Sequence, residues 1–214
     1  MLVRNPRGPL VRLVLIAAAI GLFLGGYYWG NQHKLGNAGP PTIEGVLVRP
    51  ARELPDFELQ DTDGLTFTAQ DLREHWTLLA FGDLTQARGH LAVTRMIDAS
   101  NRLADRQDLQ ADLQLALAAD TQAPNLARDF SRLSRALKLL SGEAGELQRL
   151  RAALGAAPPG ATTTADDGGA PFYLIGPRGR LVALFPSTQG PAAIAEDLTA
   201  LADHPESLFP DIDE

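Results

Sequence analysis

Four histidines, a few loop carboxylates and no thiol make up the reactive inventory of this 214-residue chain. The absence of cysteine excludes disulfides, thiolate nucleophiles, thiolate metal sites and a lipid-modified N-terminal cysteine together. His75 and His204 have no nucleophile or carboxylate spaced to them in sequence and are expected to be exposed, and His33 belongs to the tether. Asp83, Thr85, Arg88 and Asp120 could surround one loop, where an acid-base pair is conceivable. Their spacing defines no reaction, and solvated loop polarity is the plainer reading. His90 is the remaining candidate metal ligand. Met96, six residues on, faces another side of a helix, so His90 has no second soft donor beside it. No catalytic residue and no cofactor are therefore expected.

The elements that must position these residues follow from apolar spacing. Phe57-Glu58-Leu59 and Leu65-Thr66-Phe67 alternate around Asp63-Gly64, a hairpin with a tight turn. Thr68 and Asp71 have the spacing of a capping box and open a short helix. Trp76 to Gly82 is a nearly continuous apolar run, as in a central strand covered on both faces. Val93, Met96, Ile97, Leu103 and Ala104 predict a helix over about 90–106. Leu113, Leu115 and Leu117 alternate in a second strand, and Pro124 leads into a helix over about 125–134. Leu137 to Leu140 form a short strand, and Ser141 is expected to cap a helix that Gly155 ends. Residues 156–169 have no large apolar residue and read as a surface loop. Phe172–Ile175 and Arg180–Phe185 flank Pro177-Arg178-Gly179, and a last helix runs from Pro191 through Ala202. This order predicts an α/β sandwich with a mixed sheet.

Ahead of the domain, Leu13 to Trp29 is a 17-residue run without a charge, which spans about 25 Å as a helix. Arg4, Arg7 and Arg12 precede it, and Tyr27, Tyr28 and Trp29 form an aromatic belt at its far end, so the N-terminus is expected in the cytoplasm. A single-pass anchor in the inner membrane would then hold the domain on the periplasmic or extracytoplasmic side. A cleaved signal peptide is the rival reading, with Gly36-Asn37-Ala38 supplying small residues, but Ala38 lies far from the apolar run and Pro40 follows closely. The expected organisation is a cytoplasmic N-terminus over 1–12, a span over 13–29, a Pro/Gly-rich tether over 30–52, the folded domain over 53–203 and an acidic tail over 204–214. Setting aside the three leading arginines leaves 16 basic against 26 acidic residues, which argues against nucleic acid as a partner.

Five segments in order give a resemblance to a known family. They are Leu54-Pro55-Asp56-Phe57 with Asp63-Gly64; Trp76 to Gly82; Ala119-Asp120 with Pro124; Leu139-Leu140-Ser141-Gly142; and Phe172 to Pro177, continued by Phe185-Pro186. Together, over about residues 50–203, they resemble the SCO/SenC family of membrane-tethered, thioredoxin-like copper chaperones that serve cytochrome c oxidase. The resemblance implies a thioredoxin-like α/β/α sandwich. It also implies a copper site of two cysteines four residues apart and one histidine. Those positions fall on Gln86, His90 and Gly168 here, so the chain looks like a degenerate member without its copper or thiol ligands. Cu(I) is soft and is held selectively by thiolate or thioether, and disulfide exchange requires an attacking thiolate. A thioredoxin-like fold further suggests a cis peptide bond before Pro171. The reading favoured is a non-enzymatic accessory protein contacting an oxidase subunit or a true copper chaperone; the alternative is a metal-binding protein with non-thiol ligands around His90. An enzyme using Asp83 and Asp120 has no positive support.

Overall fold

The computed structural model describes residues 18–22, 41–119, 123–158 and 169–208. Two units separate between Pro40 and Pro41. In the first, Ala18 to Leu22 are helical and exposed, and the rest of the Leu13–Trp29 run lies outside the described residues. Among the described residues no helix is long and apolar enough to cross a membrane.

The second unit is built on a six-stranded mixed sheet. Its strands are β1 (Val46–Glu53), β4 (Trp76–Gly82), β5 (Leu113–Ala119), β6 (Leu137–Leu140), β7 (Phe172–Ile175) and β8 (Arg180–Phe185), in the order β1-β8-β7-β4-β5-β6. Strands β4, β5 and β6 are parallel, whereas β7, β8 and β1 join by antiparallel pairing. A separate hairpin pairs β2 (Glu58–Gln60) with β3 (Thr66–Thr68). The Asp61 carboxylate closes its turn by accepting from the N–H groups of Asp63 and Leu65, and Gly64 adopts φ 78°, a left-handed conformation that glycine takes without a Cβ clash. The expected capping box is present: Thr68 and Asp71 satisfy each other around a 3-10 turn at Ala69–Leu72.

Helices α1 (Ala87–Asn101), α2 (Gln107–Asp112), α3 (Pro124–Ser131), α4 (Ala144–Leu154), α5 (Pro191–Ala202) and α6 (Pro205–Leu208) complete the domain. The step from β4 to β5 to β6 moves in one direction across the sheet, so right-handed crossovers put α1 and α3 on the same face. Helix α4 returns the chain to β7 along the other face. Strand β4 shows why its sequence is apolar throughout: Trp76, Leu78 and Ala80 join one core with Val93, Met96 and Leu198, while Leu79 and Phe81 join a second with Leu147, Leu150 and Tyr173. Alternate residues of one strand thus feed two cores.

Several expectations need correction. The tether expected over 30–52 contains most of β1, which pairs with β8. Pro50 hid it, yet an edge strand tolerates proline because its outward N–H has no partner to lose. The buried Asp197 carboxylate fixes the entry to β1, accepting from Glu44 N–H at 3.0 Å, Gly45 N–H at 2.8 Å and Gln189 Nε2 at 2.7 Å. The helix predicted over 90–106 starts at Ala87 and ends at Asn101, with α2 as a separate piece, so that Leu103 and Leu109 both reach the core. Ser141 caps no helix; it exchanges two backbone hydrogen bonds with Gln60, at 2.7 and 2.8 Å, and α4 begins at Ala144. Residues 205–208 of the expected tail are helical and Leu208 is buried; residues 209–214 lie outside the described residues.

Burial pushes the Tyr173 phenol above its ordinary value, while the charge of Arg151 works the other way. In the unfolded chain the phenol ionises near the usual tyrosine value of about 10, before the folded one does. Stability from this group is therefore complete below about pH 10 and lost as pH rises beyond it. Urea unfolding of the protein and of Tyr173→Phe at increasing pH is expected to show the unaltered protein losing ground above about pH 10; parallel pH profiles would contradict this.

Candidate functional site

The segment joining β4 to α1 lies at the carboxyl ends of the parallel strands, where open α/β sheets bind their ligands. Asp83 organises it. One carboxylate oxygen accepts from Thr85 N–H at 2.8 Å and Thr85 Oγ at 2.6 Å, and the other from Gln86 Nε2 at 3.2 Å. Gln86 is the N-cap residue of α1 with extended backbone, and His90 lies in the first turn. Both are exposed, one helical turn apart on the same side.

His90 is tied into the loop rather than presented as a ligand. Its Nε2 lies 2.7 Å from the Leu84 carbonyl oxygen, which can only accept, so Nε2 carries the proton. The ring also rests on Phe130 of α3, with centroids 4.8 Å apart. One imidazole nitrogen beside an amide does not form a donor set for Cu(I). Among the described residues no three His, Asp or Glu side chains lie close enough together to hold a metal ion. The residues present therefore do not fit the family's copper cargo.

Gly89 is required for the approach of α1 to this loop. A Cβ there would sit 2.2 Å from the Asp83 carbonyl oxygen. Gly89→Ala is expected to cost about 1–3 kcal/mol through overpacking, measured as a lower urea midpoint. An unchanged midpoint would mean that helix and turn move apart freely.

Facing α1, the segment before β7 is anchored by Arg95, which is buried. Its Nη1 donates to the Ala170 carbonyl at 3.0 Å and its Nη2 to the Gln189 carbonyl at 2.7 Å, with the guanidinium carbon 4.7 Å from the Phe172 ring centroid. Burial lowers the Arg95 pKa from its ordinary value. Sequence reading missed this residue, because its partners lie 75 and 94 positions away. The peptide bond expected to be cis before Pro171 is not cis; the cis bond among the described residues joins Arg49 and Pro50. With Ala170–Pro171 trans, the Ala170 carbonyl turns to Arg95.

Other predicted residues do not gather at the loop. Asp120 and Gly168 lie outside the described residues, as does His33. His75 does have a carboxylate partner, contrary to expectation: its Nδ1 is 2.9 Å from Asp112 Oδ1. That pair sits at the amino ends of β4 and β5, the opposite end of the sheet from Asp83. Thirty-seven positions separate the two residues, so only strand pairing brings them together.

The SCO1/SenC family profile matches residues 48–203. No curated protein matches the chain. Among solved structures, yeast Sco1 with copper bound has 16% identity and a TM-score of 0.58, covering 78% of this chain and all of that one. Apo Sco1 from Thermus thermophilus has 20% identity and a TM-score of 0.58, covering 75% of this chain and 97% of that one. BsSco, described as a member of the Sco family of cytochrome c oxidase assembly proteins with a disulfide switch, has 16% identity and a TM-score of 0.55, covering 72% and 96%. Such identities establish the thioredoxin-like fold of the domain and leave its chemistry to be argued from its own residues. Matched over most of its length, with thiols absent from the loop after β4, the chain belongs to the SCO1/SenC family as a cysteine-free member.

Proposed function

We propose that this chain is a membrane-anchored, non-enzymatic accessory protein of respiratory-oxidase assembly, whose surface contacts an oxidase subunit or a functional copper chaperone. The observation that carries this reading is the loop between β4 and α1. It keeps its position at the carboxyl ends of the strands, yet it offers Gln86 and an internally bonded His90 in a chain with no cysteine. Neither soft-metal transfer nor thiol exchange has the atoms it needs there. Family membership and the assembly role named for BsSco support the link to the oxidase. The Leu13–Trp29 run and the three leading arginines support an inner-membrane anchor, with the domain on the extracytoplasmic side.

Affinity capture of the full chain from detergent-solubilised membranes is the direct test. Oxidase subunits or a copper chaperone are expected to co-purify, while the isolated protein carries no stoichiometric copper. A preparation that holds one copper ion tightly, or that reduces a disulfide in a client, would overturn the non-enzymatic reading. Capture without any oxidase component would remove the assembly role.

A further inference from the structure

The turn between α3 and β6 carries charge opposite in sign to the rest of the chain. Residues 123–142 hold Arg128, Arg132, Arg135 and Lys138 against Asp129 alone, a net charge of +3, which leaves −10 on the rest of a chain whose total is −7. Arg128, Arg132 and Arg135 are exposed. Arg132 makes only an exposed 3.8 Å ion pair with Asp129; Arg128, Arg135 and Lys138 make no side-chain hydrogen bond or ion pair with a described residue. Cations at the end of a helix complement its dipole, which accounts for Arg128 and Arg132. It does not account for Arg135, beyond the helix, or for Leu133, which is 61% exposed between the arginines in sequence.

The backbone of this turn is ordered by its own hydrogen bonds. Leu133 N–H donates to the Phe130 carbonyl at 2.9 Å, Ala136 N–H to Ser134 Oγ at 3.3 Å and Leu137 N–H to the Ser134 carbonyl at 3.2 Å. Leu126 and Phe130, half-buried against the core, take the apolar side of α3, and Arg128 and Arg132, four apart, share the other. With three N–H groups already used, the turn offers a partner chain little backbone to pair with. What it offers is positive charge around one apolar side chain. Guanidinium groups fork onto phosphate oxygens, and an apolar side chain among them can enter the boundary between headgroups and acyl chains. Lipid phosphates move laterally to meet arginines whose spacing is fixed. An anionic surface repels the rest of the chain and attracts this turn within about a Debye length, ~10 Å, so charge alone selects the side that approaches.

We infer that the turn over residues 132–135 rests on the acidic phospholipid headgroups of a bilayer, with Arg128, Arg132 and Arg135 pairing with phosphates and Leu133 entering the interface. This rests on the membrane-anchor reading, which supplies the bilayer, and goes beyond it by assigning the face of the domain that meets the lipid.

The test uses the full chain in lipid nanodiscs of phosphatidylcholine alone or with phosphatidylglycerol added. Because the chain has no cysteine, Ser131→Cys gives a single attachment point for a fluorophore beside the turn, and lipids spin-labelled at the headgroup quench it on contact. Quenching is expected to be strong in the phosphatidylglycerol discs and about ten-fold weaker in phosphatidylcholine alone. High salt, or Arg132→Glu with Arg135→Glu, should bring the first down to the second. Both arginines are exposed, so the doubly reversed protein is expected to keep its melting profile, and the salt arm needs no substitution. Equal quenching in the two kinds of disc overturns the inference, as does quenching that survives charge reversal. Saturable binding of a glutamate-rich peptide to the turn, with no response to phosphatidylglycerol, overturns it in favour of an acidic protein partner. A chain that leaves the discs when detergent is removed refutes the anchor and the inference together; a chain retained without a response to phosphatidylglycerol refutes the inference alone.

Discussion

A variant carrying Gln86→Cys together with His90→Cys is expected to take up one Cu(I) per chain where the unaltered protein takes up none. The two positions are the N-cap and first turn of α1 and are exposed, with side chains four apart, about 5–6 Å between Cβ atoms. A helix N-terminus lowers the pKa of a thiol, so both cysteines would be substantially thiolate near neutral pH. Two thiolates supply the soft donors and the charge that Cu(I) requires and that an amide and an imidazole lack. The exchange removes the bond from Gln86 to Asp83 and the bond from His90 to Leu84. The Thr85 bonds to Asp83 remain to hold the turn. The lost contacts are expected to cost only about 1–2 kcal/mol, far less than a thiolate site contributes. Anaerobic competition against a chromophoric Cu(I) chelator would measure the gain. Each single variant should compete at least ten-fold less well. A double variant no better than the unaltered chain would show that this loop no longer holds its family's ligand positions in register.

What could be read from sequence was whatever depends on neighbours within a few residues. The alternation around Asp63-Gly64 gives the hairpin, the Thr68/Asp71 spacing gives the capping box, and the run from Trp76 to Gly82 gives the central strand, each as found. Absence of thiols needed no fold at all. Strand β1 escaped because proline and glycine dominate its surroundings, and its pairing with β8 joins residues more than a hundred positions apart. The site's supports escaped for the same reason. Arg95, Asp197 and His75 are bound by groups that chain spacing cannot bring together, and an isolated arginine in an amphipathic helix reads as surface until the sheet places carbonyl oxygens over it. His90 was legible as a candidate, but its inward bond to Leu84 depends on the turn at Asp83, which composition alone does not specify.

Arg95→Ala is expected to be the most damaging single substitution near the site, lowering stability by about 2–4 kcal/mol. Two carbonyls, of Ala170 and Gln189, would lose charge-assisted donors at 3.0 and 2.7 Å, and Phe172 would lose the guanidinium over its ring. Against this stands the cost of burying the charge, the same burial that lowers the Arg95 pKa, so the sum is smaller than the bonds taken separately. Arg95→Met separates the two effects, since it restores apolar volume without charge or donors. It should recover part of the loss in thermal unfolding but leave the amides flanking Ala170 and Gln189 exchanging faster with solvent. Arg95→Lys should fall between, because one ammonium lacks the planar fork that reaches two carbonyls at once. Full stability and full protection in the methionine variant would mean that desolvation cancels the hydrogen bonds. If instead protection is lost, Arg95 is what holds the segment before β7 against α1.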